Sequence, residues 1–217
     1  MMVRISCDGV SAGPLWIPPF RLESGELVCL HMPCLSYSQE ERLVIQLLTG
    51  ELSDPNISHD GRIFLADGPT CRAGFFGLFR RPRVGTWLQK KAEISAPEAQ
   101  AIATRLGLHS DQICRLPGNP RAQLGLEAAW ARRADALIFS TVGLDPLGRK
   151  SLFEAVLSRI DQCPAIHLSF QYWTQGRLER SCHPRARCID VTQRPGTGTL
   201  KEYVESNPHA YRWPQTG

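Results

Sequence analysis

Apolar and polar positions along the chain fall into two alternating kinds of segment. Short continuous apolar runs have the length of buried strands: ELVCLH at 26–31, ALIFS ending at 140 and AIHLSF at 165–170. Between them lie segments whose apolar residues recur three and four apart. In QEERLVIQLLTG, at 39–50, Leu43, Val44, Leu47 and Leu48 make one helical face and Gly50 is a natural stop. The turn-rich SDPNISHDG links this helix to a second strand, GRIFLAD at 61–67. SAPEAQAIATRLGL, at 95–108, opens on a Ser-x-x-Glu capping box from Ser95 to Glu98. NPRAQLGLEAAWARRAD predicts another helix with Asn119 as cap and Pro120 in its first turn. A further helix runs from Pro146 to about residue 160, capped by Asp145, with Leu152, Phe153, Val156 and Ile160 facing inward. RRPRVG reads as a basic loop, and the tail from Arg194 as a short helical stretch with a Pro/Gly-rich end. Strands alternating with helices predict an α/β domain with a mainly parallel sheet covered on both faces.

Composition narrows the class without naming a function. The 42% hydrophobic and 21% charged fractions of 217 residues suit a folded soluble domain with a proper core. The opening MMVRISCDGV lacks an apolar signal core, and no run approaches the ~20 residues that span a bilayer. The expected location is the cytoplasm, with any membrane role exerted through a partner. Net charge is +4, too weak to imply nucleic acid. The charge is uneven: residues 72–133 carry eleven Lys/Arg against four Asp/Glu, residues 1–50 three against five. A solvated basic face is the plain expectation, with an acidic partner, lipid head groups or RNA as alternatives. Eight cysteines, at 7, 29, 34, 71, 114, 163, 182 and 188, are scattered, several in apolar runs, as reduced core thiols would be.

Taken in order, these pieces resemble the ATPase (nucleotide-binding) domain of ABC transporters over nearly the whole chain. ESGELVCL resembles the strand leading into that family's phosphate-binding loop, LVIQLLTG the helix after it, and DGRIFLADG the next hairpin. LPGNPRAQLGLEAAWARRADALIF is similar to the signature helix running into the Walker B strand. GLDPLGRKSLFEAVLSRI is similar to the D-loop and its helix, and AIHLSF to the switch-histidine strand. The resemblance implies a P-loop-NTPase-like α/β fold in a single domain: a core at about 1–71 and 134–205, a small helical lobe at about 72–133, and a tail at 206–217. It also implies partners: a transmembrane permease-like protein, and an ATPase-type subunit in a hetero- or homodimer.

The family's chemistry is replaced at each position the resemblance identifies. Its phosphate-binding loop needs Gly amides to wrap the phosphates, a Lys to neutralise them and a hydroxyl for magnesium. Here the corresponding stretch is Met32, Pro33, Cys34, Leu35, Ser36, Tyr37, Ser38 and Gln39, with neither Gly nor Lys. Glu40 and Glu41 follow, where a helix N-terminus would receive the anion. Ser140 and Thr141 stand for the Walker B aspartate and the catalytic glutamate, and Phe170 for the switch histidine. Hydroxyls neither hold Mg²⁺ by charge nor act as a base at neutral pH. GFFGLFRRPRVG offers no counterpart of the Q-loop glutamine. The signature keeps Leu116, Gly118 and Arg121 but has Pro117 and Asn119 in place of its Ser and second Gly. The D-loop residues Gly143, Leu144 and Asp145 remain, as an expected subunit face.

The expectation is a catalytically inactive pseudo-ATPase without cofactor. One alternative is an active ATP-binding subunit with a divergent site, using ATP and Mg²⁺. Another is a basic module for RNA or membrane surfaces, carried by Arg80, Arg81, Pro82 and Arg83 beside Phe75, Phe76 and Phe79. Cys182, His183 and Cys188 in SCHPRARC are metal-ligand types, but they lack C-x₂-C spacing and have only the distant Cys163 as a fourth donor. No metal is therefore expected. His167 reads as a satisfied strand histidine. Nucleophilic chemistry by His31 and Cys34 lacks a third, orienting group.

Overall fold

The computed structural model describes residues 2–33, 38–70, 82–108, 111–170, 172–174, 177–179 and 182–193. From the N-terminus, β1 (Val3–Cys7), β2 (Val10–Ala12), β3 (Leu15–Ile17) and β4 (Phe20–Glu23) lead into β5 (Leu27–Met32) and helix α1 (Gln39–Thr49). β6 (Ile57–His59) and β7 (Ile63–Leu65) follow, then α2 (Val84–Ala92), α3 (Ala96–Arg105), a 3₁₀ turn (Ile113–Arg115) and α4 (Gly118–Ala131). The remaining elements are β8 (Ala136–Ser140), α5 (Pro146–Leu157), β9 (Ala165–Phe170), β10 (Tyr172–Thr174), β11 (Arg177–Glu179), β12 (Arg187–Asp190) and β13 (Thr192–Gln193).

A five-stranded sheet in the order β12-β5-β9-β8-β7, parallel at every pairing, forms the centre. β5 and β9 are buried at every position, as strands covered on both faces must be. Alternation divides their side chains. Val28, Leu30, Met32, Ile166, Leu168 and Phe170 join α1 and the N-terminal strands in one core, while Leu27, Leu137, Phe139 and Ala165 pack with α4 and α5 in another. The expected face of α1 is the observed one: Leu43, Val44, Leu47 and Leu48 are buried, each contributing roughly 1.5–3 kcal/mol. Gly50 ends the helix at φ 77°, a left-handed conformation favoured by glycine. A third apolar cluster joins α2, α3 and the buried face of α4.

The parallel sheet and its flanking helices are those expected; three features differ. β1 pairs antiparallel with β4 and β6, and β3 with β2 and β13, so the N-terminal segment and part of the turn-rich link are strands. Helix α2 begins at Val84, inside the RRPRVG stretch read as a loop, and is capped at its C-terminus by Glu93 at φ 58°. The helix expected to be capped by Asn119 begins at Gly118. Its cap is Pro117, which makes no side-chain bond, and Pro120, now the third helical position, is still in the first turn as predicted. The helix at α3 carries both halves of the predicted capping box. The helical stretch predicted beyond Arg194 lies outside the described residues.

Candidate functional site

In an open parallel sheet a ligand binds beyond the strand ends, at the N-termini of the helices that follow. Here that place lies between β5 and α1. Met32, the last residue of β5, is fully buried in the core and Pro33 is partly buried; Cys34, Leu35, Ser36 and Tyr37 lie outside the described residues. Ser38 is the cap of α1, and its hydroxyl accepts from the Glu41 N–H at 3.1 Å. Gln39 is the first helical residue, and Glu40 and Glu41 fill the first turn, Glu41 with 8% exposure. The Glu41 N–H at the positive end of this helix is therefore taken by the chain's own hydroxyl, with two acidic residues in the same turn. The described residues of this turn do not fit a nucleoside triphosphate.

The ends of β8 and β9 fit magnesium no better. Ser140 accepts from the Val142 N–H through its hydroxyl at 3.2 Å. Thr141, 5% exposed, pairs with Nε2 of His167 at 3.1 Å, and the other ring nitrogen of His167 lies 3.5 Å from the Cys29 sulfur. His167 is thus satisfied at both nitrogens; burial, with His31 and Arg149 adding to it, lowers its pKa to about 3. Phe170 packs at 2% exposure in the core beneath α1. No carboxylate stands at Ser140, Thr141 or Phe170, so nothing there supplies the charge Mg²⁺ requires.

The remnants of the signature and the D-loop are brought together. A Cβ on Gly118 would stand 3.2 Å from the Gly143 carbonyl oxygen, and one on Gly148 would meet Asn119 at 3.2 Å. Asp145 caps α5 by accepting from the Gly148 N–H at 2.6 Å, as its sequence predicts. Arg121 turns back on its own chain, donating to the Cys114 carbonyl at 3.4 Å. Leu116 and Leu144 are core residues, so the outward residues of this corner are Gly143, Asp145 and the neighbouring Leu147, which is 79% exposed.

A cluster that sequence reasoning missed lies at the opposite edge of the sheet. Alternation puts Cys29 and His31 on one face of β5, and parallel register places Cys188 of β12 directly opposite Cys29. Cys182 joins them through the turn before β12, so the ligand atoms of Cys29, His31, Cys182 and Cys188 lie within 4.8 Å of one another. The two neighbours of Cys182 and Cys188 considered from sequence are elsewhere. Cys163 lies beside Trp130, its thiol pushed up to about 11 by burial, and the His183 ring stacks on Phe153 at 5.1 Å. Cys114 is disulfide-bonded, whereas the sequence suggested reduced core thiols for several of the cysteines. The available signal was the C-x-H alternation inside an apolar strand together with C-x₅-C in the tail.

Several described charges of the basic segment are paired. Arg83 meets Asp111 at 3.5 Å, Lys91 meets Asp67 at 2.9 Å, Arg132 meets Glu93 at 3.0 Å, and Arg105 bonds Glu127. Arg80, Arg81, Phe75, Phe76 and Phe79 lie outside the described residues. A depression of about 280 Å³ near Arg4, Arg21 and Asp60 lies on the antiparallel sheet, away from α1, and its Arg4 is already paired with Asp60 and Asp135.

The architecture is that of ABC transporter ATPase subunits. A solved chain described as part of an inward-facing, metal-chelate type ABC transporter is similar at 12% identity and TM-score 0.57, over 83% of each chain. CbiO1 from Clostridium perfringens, part of the CbiONQ ABC transporter complex, is similar at 12% identity and TM-score 0.53, over 82% of this chain and 88% of that one. No family model and no curated protein matches the sequence. Among the described residues no helix is long and apolar enough to cross a membrane.

Proposed function

We propose that this chain is a catalytically inactive pseudo-ATPase: an ABC-type fold that serves as a binding or structural subunit of a transporter-like membrane complex. The observation that carries the proposal is the start of α1, where Ser38 closes on the Glu41 amide and Glu40 and Glu41 occupy the turn a phosphate would need. Carboxylates there stabilise the helix by about 0.3–1 kcal/mol and repel an anion. Ser140, Thr141 and Phe170 at the neighbouring strand ends support the same reading, because losses at separate elements do not leave one restorable defect. On this reading the chain pairs with an ATPase-type subunit that brings its own phosphate-binding loop, and reaches the membrane through a permease. The exposed corner at Gly143, Asp145 and Leu147 supports a pairing face there.

Equilibrium dialysis of the purified chain against labelled ATP with Mg²⁺ tests the proposal. The expected result is no retention into the millimolar range. Micromolar retention overturns it, and turnover abolished by Asp145→Ala would assign the chain to the active ATP-binding alternative.

A further inference from the structure

Four donors meet at the edge of the parallel sheet, drawn from β5 and from the distant segment that ends in β12. The Cys29 sulfur lies 4.0 Å from Nδ1 of His31, and the sulfurs of Cys182 and Cys188 lie 2.7 Å apart. A tetrahedral zinc with bonds of about 2.0–2.3 Å holds its donors roughly 3.5–3.8 Å from one another. All four donor atoms already fall within 4.8 Å of one another, so closing on a common centre needs shifts on the order of an ångström. We infer that Cys29, His31, Cys182 and Cys188 form a structural zinc site.

The chemistry of the donors selects the ion. Three thiols and an imidazole form a donor set of closed, four-coordinate zinc sites, and thiolates disfavour the hard ions magnesium and calcium. Without a cation these thiols stay protonated. Burial and the neighbouring sulfurs push the Cys29 thiol well above its usual range, and burial with the Cys188 contact pushes Cys182 up to about 11. A dication reverses that balance. On binding, three S–H bonds break, three Zn–S bonds form, and three protons leave to solvent; neutral His31 supplies the fourth bond through a ring nitrogen. A supporting shell is present, because Nδ1 of His167 is 3.5 Å from the Cys29 sulfur and is positioned to donate to a thiolate there. The Ser169 hydroxyl also bonds that sulfur. Such a site would clamp β12, a short and largely exposed edge strand, to its neighbour β5 just before the altered loop. It is independent of the nucleotide reading.

The full chain purified under reducing conditions is expected to carry about one zinc, measured by plasma mass spectrometry. Titration of the metal-free chain with Co²⁺ should give the intense visible bands of a tetrahedral thiolate site. Cys29 and His31 lie in the fully buried strand β5, where substitution could unfold the chain, so the test uses C182S/C188S on the exposed side. That variant should lose zinc about tenfold or more, while Cys7→Ser, in a separate core, should retain it. Zinc at wild-type level in C182S/C188S overturns the site. So does a weak octahedral Co²⁺ spectrum, or a reduced wild-type chain that takes up no zinc.

Discussion

Gly125 shows how one absent methyl group sets a packing distance. A Cβ there would stand 2.7 Å from the Asp67 carbonyl carbon and 2.9 Å from the Ala66 oxygen, because α4 lies directly against the exit of β7. Gly125→Ala should therefore cost roughly 1–3 kcal/mol through overpacking, despite alanine's higher helix propensity. Urea denaturation would show it as a lower midpoint at unchanged slope. Thr141 supports a second residue-scale prediction. Its hydroxyl partners Nε2 of the buried His167, so Thr141→Val strands a polar nitrogen at a cost of about 1–3 kcal/mol, and Thr141→Ser restores most of it. Equal stability of the Val and Ser variants would show that this bond contributes nothing. Neither contact could be read from the chain, since each joins residues from different elements. The assignment of Ser140 and Thr141 to the family's acid positions rests instead on counting along the sequence.

At the scale of elements, legibility followed local physics. α3 was readable because its capping box joins residues three apart. Ser95 accepts from the Glu98 amide, and the Glu98 carboxylate bonds back to the Ser95 N–H at 2.8 Å. Those bonds from Ser95 lower the Glu98 pKa below its ordinary value of 4.5. The contribution of the carboxylate is therefore present above that range and is lost as pH falls through the lowered folded value. Ser95→Ala should cost about 1 kcal/mol at neutral pH, with a smaller difference from wild type in acid, measured by denaturation at both pH values. β5, β8 and β9 were readable as apolar runs, and α1 and α5 by period, stop and cap. β1–β4 and β6 were not, being strands of three to five residues whose antiparallel partners fix them. α2 was hidden because its cap, Arg83, makes no side-chain bond and sits in a basic stretch that reads as loop. β12 was hidden because an exposed edge strand shows no buried alternation. With β12 unread, Cys188 had no address in the sheet, and its Cys29 neighbour could not be inferred.

The described residues form three apolar clusters that depend differently on β12. The α2–α3–α4 cluster contains no residue of β12 or of its neighbours β5 and β13. The cluster under α1 includes Val191 and takes Ile189 against it, so the end of the described chain is part of that core. A zinc clamp between β12 and β5 would act on that cluster first. Metal binding to the folded chain alone stabilises by about 4 kcal/mol at a free zinc concentration of roughly 1,000 Kd. For a domain of this size that corresponds to a Tm lower by about 8–16 °C after chelation under reducing conditions. The loss should also be local at temperatures below the transition. Hydrogen exchange should speed in β12, β13 and the C-terminal half of β5, while α2 and α3 keep their protection. C182S/C188S without chelator should reproduce that pattern and be insensitive to added zinc. A uniform rise in exchange across all three clusters would mean that the four donors do not act as a clamp on this edge.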